Sequence, residues 1–203
     1  MKIVAIVGPA GSGKSMISDY LAHKYGATRY SFAEPLKEIV RLAFNMTWEQ
    51  VYGSQAQKEA IDPRYNVSPR WLLQHLGTEG IREVLGPNFW WQHCQDRILY
   101  EQPSLAVIDD MRFANEAEGL LALNEDGTQL VHIWRIESDR PRDTTADQNH
   151  QSESEWMLCR HTDVVEIKCK DWTNDDQSAV ALYEAVDLVA DRCGLTPTYA
   201  VLP

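Results

Sequence analysis

The chain has 203 residues, 44% of them hydrophobic, which is enough for one substantial core with insertions. Its 30 acidic against 19 basic residues give a formal net charge of −11, which speaks against stable nucleic-acid binding or a membrane surface as the main partner, because phosphate-backbone binding relies on basic patches. A compact anionic ligand held by a local group of arginines is still compatible with this balance. No apolar run approaches membrane-spanning length and the first residues enter a strand pattern without a signal-peptide arrangement, so the expected location is cytoplasmic. The four cysteines, Cys94, Cys159, Cys169 and Cys193, form no C-x-x-C pair and predict neither zinc nor a structural disulfide.

In chain order, the apolar run Ile3-Val4-Ala5-Ile6-Val7 predicts a buried strand that delivers the chain to Gly8-Pro9-Ala10-Gly11-Ser12-Gly13-Lys14-Ser15. This is the G-x-x-x-x-G-K-S spacing of a P-loop, with a strand before it and a helical pattern after it. Glycines let backbone N–H groups turn inward around phosphate oxygens, and the following helix adds its positive end. The expected ATP cradle is therefore Gly8, Ala10, Gly11, Ser12, Gly13, Lys14 and Ser15. Lys14 supplies a point charge to the β- and γ-phosphates, and the Ser15 hydroxyl is placed to ligate Mg²⁺.

Ile17, Leu21 and Tyr25 make a helical stripe that Gly26 ends. Residues 28–32 read as a short second strand, and Pro35 suits the first turn of a helix with Leu36, Ile39, Val40, Ala43 and Phe44 on its apolar side. Thr47 and Gln50 fit a capping box, the polar stretch 53–67 reads as an irregular excursion, and Ser68-Pro69 starts another helix. Along that helix Arg70, Gln74 and, after a break at Gly77, Glu79 and Arg82 set polar groups among apolar ones. An amphipathic hairpin with a wet face or a substrate-binding insertion would both explain this spacing. A further helix from Pro87-Asn88 to about residue 101 precedes a strand over 105–108 that runs into Asp109-Asp110. An acid at a strand end beside a P-loop is suited to orient Mg²⁺ or its waters, and two adjacent carboxylates point to opposite faces, so only one need reach the metal. Arg112, just past the strand, can reach an anionic ligand.

A short helix over 115–123, strands over 129–136 and 163–168, a brief helix over 155–160 and a long closing helix over 175–193 complete the pattern. The charged stretch 137–152, with Arg140 and Arg142, has no apolar periodicity and reads as an exposed loop suited to close over phosphates. Strands alternating with helices imply an α/β fold with a parallel sheet covered on both faces.

Four blocks in this order, added to the P-loop, carry a resemblance. They are Ser31-Phe32-Ala33-Glu34-Pro35-Leu36-Lys37, Leu73-Gln74-His75-Leu76-Gly77-Thr78-Glu79-Gly80-Ile81-Arg82, Asp110-Met111-Arg112-Phe113-Ala114-Asn115-Glu116 and His150-Gln151-Ser152-Glu153. Together they resemble the deoxynucleoside monophosphate kinases of tailed bacteriophages, a branch of the P-loop nucleoside monophosphate kinases. The resemblance implies a three-layer α/β/α domain with a five-stranded parallel sheet of order 2-3-1-4-5. Its core would be residues 1–33 and 103–203, with a helical substrate-binding insertion over about 34–102 and a lid over about 137–152. It implies Mg²⁺-dependent transfer of the ATP γ-phosphate to a deoxynucleoside monophosphate. The acceptor would be held by Phe32, Lys37, Arg70, Gln74, Glu79, Arg82 and Arg112, the metal by Ser15 with Asp110 and its neighbour Asp109, and catalysis would fall to Lys14, Arg112, Arg140 and Arg142. Ala114, Glu34 and Lys168 depart from the family pattern and leave the base preference open, as the sequence does a homodimer. Two other readings fit the P-loop: a kinase of another small acceptor or of a modified base in DNA, and a nucleotide-binding switch with no phosphoryl acceptor.

Overall fold

The structure is a computed structural model and describes residues 1–9, 12–124, 130–138, 164–169 and 176–198. Its strands are β1 (Lys2–Val7), β2 (Thr28–Tyr30), β3 (Leu105–Ile108), β4 (Val131–Ser138) and β5 (Val164–Cys169). The α-helices are α1 (Lys14–Tyr25), α2 (Glu34–Ala43), α3 (Trp48–Tyr52), α4 (Gln55–Glu59), α5 (Pro69–His75), α6 (Glu83–Leu85), α7 (Phe89–Glu101), α8 (Ala114–Leu121) and α9 (Asp176–Arg192). A π-helix over Leu76–Arg82 joins α5 to α6. The expected brief helix over 155–160 lies outside the described residues, as does nearly all of the expected lid.

The strands form one parallel sheet in the order β2-β3-β1-β4-β5. The middle place of β1 follows from its composition, because Ile3 to Val7 are all fully buried and a strand covered on both faces has no room for a polar residue. Two units separate, one of Met1–Ser31 with Cys94–Pro203 and one of Phe32–His93.

In the sheet unit, Ile17 and Leu21 of α1, Val4 and Ile6 of β1, Trp134 and Ile136 of β4 and Leu182 and Val186 of α9 share one core. Each fully buried aliphatic side chain there is worth roughly 1.5–3 kcal/mol over leaving it in water. The far end of α1 is tied to α9 by polar contacts. The Tyr20 and Tyr25 hydroxyls donate to Asp187 at 2.9 and 2.8 Å, the Lys24 ammonium donates to it at 2.6 Å, and the Tyr20 ring stacks on Tyr183 at 4.3 Å.

Four expectations for residues 28–93 are corrected. The second strand ends at Tyr30, so Ser31 and Phe32 already belong to the turn into α2. The polar stretch 53–67 is ordered around a second capped helix, α4, in which Ser54 accepts from the Gln57 N–H and the Gln57 side chain accepts from the Ser54 N–H at 2.8 Å. Gly53 makes the sharp link between α3 and α4, since a Cβ there would collide with the Glu49 carbonyl. Gly77 does not break the helix. The chain winds on with i→i+5 bonds, and the bare Cα of Gly77 lets it approach α2, because a Cβ would stand 2.6 Å from Leu36 Cδ2. The apolar stripe expected on α2 is also only partly inward: Leu36 and Val40 are buried, whereas Ile39 is 40% exposed.

Candidate functional site

In the sheet unit the phosphate loop leaves the end of β1 at Gly8. A Cβ at Gly8 would lie 3.1 Å from both the Ile136 carbonyl oxygen and Ser12 Oγ, so a side chain would crowd the loop. Gly13 precedes α1 with φ of 92°, a left-handed conformation that costs glycine nothing. Lys14 Nζ donates to the Gly8 and Pro9 carbonyls at 2.8 and 2.7 Å, which holds the ammonium over its own loop. The Ser12 hydroxyl is buried and finds no hydrogen-bond partner among the described residues. An orphaned hydroxyl, a glycine with no room for a Cβ at the start of the loop and an ammonium held over it suit phosphate oxygens. Ser15 is exposed in the first turn of α1, whereas Ala10 and Gly11 lie outside the described residues.

At the end of β3 the two acids have different partners. Asp109, 14% exposed, accepts from Arg29 Nη2 at 2.8 Å, and Arg29 also pairs with Asp19. Burial and the neighbouring Asp110 push the Asp109 carboxyl upward, against the pull of Arg29. Asp110 accepts from Ser31 Oγ at 2.6 Å, which gives the serine of the Ser31–Lys37 block a task that the sequence did not disclose. β3 pairs directly with β1, with Ile108 opposite Ala5, so both acids follow the strand that flanks the phosphate loop. Among the described residues, no group of three or more His, Cys, Asp or Glu side chains gathers to hold a metal ion. A hydroxyl such as Ser15 with one carboxylate suits Mg²⁺, which takes few protein oxygens and completes its shell with water and phosphate.

Arg112 follows on the turn into α8. Glu116, 2% exposed, reaches back to accept from the backbone N–H groups of Arg112 and Phe113 at 2.8 and 3.0 Å, and so fixes the turn that presents the arginine. Its place three residues after Phe113, at the start of a helix, is the signal that would have found it.

The remaining candidates lie in the helical unit. Arg70, with its side chain 18% exposed, donates to Gln55 Oε1 of α4 at 2.8 Å and lies 4.0 Å from Glu59. Lys37 Nζ stands 5.2 Å from the centre of the Tyr52 ring, and Arg82 donates to the Pro87 carbonyl at 3.1 Å. Gln74 is half-buried one turn beyond Arg70. Eight residues of α-helix overshoot two turns by about a fifth of a turn, and the wider winding of the π-helix takes up that overshoot between Gln74 and Arg82. Glu79 falls on another strip, 3.6 Å from His75 Nε2, while the His75 ring stacks on Trp71 at 3.9 Å. Phe32 is buried at 4% exposure. The Trp90 indole N–H donates to the Gly77 carbonyl at 3.1 Å, which gives this ring a structural task. Arg140 and Arg142 lie outside the described residues.

A parallel sheet whose central strand opens through a glycine loop into a helix, with an acid pair at the end of the adjacent strand, defines a P-loop nucleotide-binding protein. Known proteins narrow that class. Residues 2–63 match the family "Deoxynucleotide monophosphate kinase". An Acanthamoeba polyphaga mimivirus protein named "Putative deoxynucleotide monophosphate kinase" is 33% identical over 182 residues, which span 84% of this chain and 90% of that relative. The "Deoxynucleoside-5'-monophosphate kinase" of Escherichia phage T5 is 25% identical over 209 residues, covering 70% of this chain and 84% of its own. The chain belongs to the deoxynucleotide monophosphate kinase family. A solved structure, the Deinococcus radiodurans tunicamycin resistance protein, covers 98% of this chain and 99% of its own with a TM-score of 0.50 at 13% identity, a likeness of fold alone.

Proposed function

We propose that the protein transfers the γ-phosphoryl group of ATP to a deoxynucleoside 5′-monophosphate and releases ADP and the deoxynucleoside diphosphate. What supports this reading, beside family membership, is that the chain offers two candidate sets for anions, of different construction. One is the backbone cradle around Lys14; the other is the cationic set Lys37, Arg70 and Arg82 on the helical unit.

An oxygen of the acceptor phosphate attacks the γ-phosphorus, and the bond to the β–γ bridging oxygen breaks with its electron pair leaving on ADP. The attacking oxygen is anionic at neutral pH, so no general base is needed, and the protein contributes alignment and charge neutralisation. Lys14 draws charge onto the β- and γ-oxygens. Arg112, on a turn fixed by Glu116, serves the transferring group. Mg²⁺ bound at Ser15 and Asp110 would neutralise the polyphosphate. Arg70 and Arg82, with Lys37 at the edge, hold the acceptor phosphate, and Gln74 and Glu79 contribute polar contacts. Arg140 and Arg142, on the segment proposed as a lid, would close over the phosphates. No helix among the described residues is long and apolar enough to cross a membrane, and the proposed location is the cytoplasm, that of the host cell if the chain is viral.

A coupled ADP-release assay across the deoxy- and ribonucleoside monophosphates tests the reading. The expected result is turnover that depends on one or more deoxynucleoside monophosphates. ATP turnover indifferent to every monophosphate would overturn it in favour of a nucleotide-binding switch, and turnover elicited only by DNA would assign a different acceptor.

A further inference from the structure

Tyr52, at the end of α3, is held by three contacts. The Trp48 ring, one helical turn earlier, stacks on it with centres 4.0 Å apart and planes 22° apart. Its hydroxyl donates to Glu38 Oε1 of α2 at 2.8 Å, and the Lys37 ammonium, also of α2, stands over its ring at 5.2 Å from the centre. α3 is itself anchored by the capping box of Thr47 and Gln50, by the buried Val51 and by the bond that Gln50 donates to Asp62 at 2.8 Å. A half-buried tyrosine on such a base is a fixed platform.

We infer that Tyr52 is a positioning residue for the acceptor phosphate: its ring holds the Lys37 ammonium while its hydroxyl engages Glu38, so that the charge of the lysine is kept for the phosphate. The inference rests on the reading of Lys37 as part of the acceptor site. Lys37 and Glu38 are adjacent in sequence, and Tyr52 draws both side chains to one ring, the ammonium over its face and the carboxylate at its hydroxyl. Glu38 is therefore a ready competitor for the ammonium, yet both of its oxygens are engaged elsewhere. Oε1 accepts from Tyr52, and Oε2 accepts from Arg41 Nε at 3.0 Å and lies 2.9 Å from Arg41 Nη2. Among the described residues no carboxylate lies within ion-pair distance of Lys37. In a chain with eleven more acids than bases, a half-buried lysine that meets an aromatic face instead of an acid keeps its attraction for an incoming anion. The face of a ring suits this task because its quadrupole orients a cation without neutralising it. Phenylalanine could do the first of these two jobs only, and leucine neither. The sequence conceals the pairing, because Lys37 and Tyr52 stand on different helices and no motif joins them.

The test measures KM and kcat with ATP and the deoxynucleoside monophosphate turned over best in the panel, in Lys37→Met, Tyr52→Leu, Tyr52→Phe and the double variant Tyr52→Leu/Lys37→Met. Lys37→Met is expected to raise the acceptor KM about tenfold or more. Tyr52→Leu should raise it about threefold to tenfold, with kcat and the ATP KM little changed. Tyr52→Phe should fall between Tyr52→Leu and the parent, and adding Glu38→Gln to it should bring the KM back toward the parent value. The double variant should be no worse than Lys37→Met alone, since Tyr52 acts through that lysine. If Lys37→Met raises the acceptor KM and Tyr52→Leu does not, or if the two effects multiply in the double variant, the role of Tyr52 is overturned and the assignment of Lys37 stands. If Lys37→Met leaves that KM unchanged, the assignment of Lys37 falls and takes Tyr52 with it. A Tyr52→Phe chain equal to the parent would overturn the part given to the hydroxyl. A lower melting temperature in both Tyr52 variants, with both KM values rising together, would make Tyr52 a packing residue and overturn the whole.

Discussion

The two sets proposed to bind anions are built on opposite plans. In the sheet unit the cradle is backbone: glycines at the end of a fully buried strand, a left-handed Gly13 and one lysine folded over two carbonyls. In the helical unit the set consists of long side chains on separate short helices, each steadied by a contact, such as Gln55 for Arg70, Tyr52 for Lys37 and the Pro87 carbonyl for Arg82. A backbone cradle tolerates few sequences and writes itself into a contiguous motif. A side-chain cluster gathers from residues far apart and can change one arm at a time, which suits recognition of an acceptor more than the common chemistry of ATP.

If that contrast is real, the largest effect should come from the cradle. Lys14→Met keeps the length of the side chain and deletes its charge, so turnover should fall by two or more orders of magnitude with an unaltered melting temperature, which a single-turnover measurement can read. Near-normal turnover in the folded variant would remove the loop from the mechanism. The acid pair comes next. Asp110→Asn should reduce activity and raise the Mg²⁺ requirement more than Asp109→Asn, whose partner is Arg29. A Mg²⁺ titration of both variants checks the ranking, and the reverse order would exchange the roles of the two carboxylates.

On the side-chain plan, Arg82→Ala should weaken monophosphate binding about tenfold to a hundredfold by calorimetry and leave ATP binding nearly untouched. Arg82→Lys should restore little, since an ammonium cannot form a planar two-pronged contact. Weaker ATP binding with the monophosphate spared would erase the division between the two sets. The smallest effect concerns the support of the helical unit. Asp62, 3% exposed, accepts from Arg64 at 2.7 Å and from Gln50 at 2.8 Å, and these bonds hold its carboxyl well below the usual range. A depressed folded pKa contributes stability above the ordinary carboxylate range, near pH 4, that is lost as the pH falls below it. Asp62→Asn should therefore lower the melting temperature at pH 7 and narrow its difference from the parent as the solution is acidified. An equal difference at every pH would assign the effect to packing.

The phosphate loop was legible because each of its requirements acts on neighbours in sequence: a strand, glycines, one lysine, a helix. The acid pair could be read for the same reason, as could the capping signals at Thr47 and Ser68. What escaped depends on contacts between distant residues. The continuation of the helix through Gly77 is set by the close approach of Leu36 and by the Trp90 indole on the Gly77 carbonyl, neither of which is visible in a local window. α4 was hidden because a five-residue helix offers no period to count, although Ser54 and Gln57 spell its cap. Ser31 and Glu116 lie in the blocks that carry the resemblance, but their contacts with Asp110 and with the Arg112 turn depend on geometry that the blocks do not spell out.

The resting place of Lys14 has a consequence for how the loop handles charge. Its ammonium is drawn onto the Gly8 and Pro9 carbonyls at 2.8 and 2.7 Å, so a long and otherwise mobile side chain has its rotamer freedom spent on the fold and its positive charge parked beside the loop in advance.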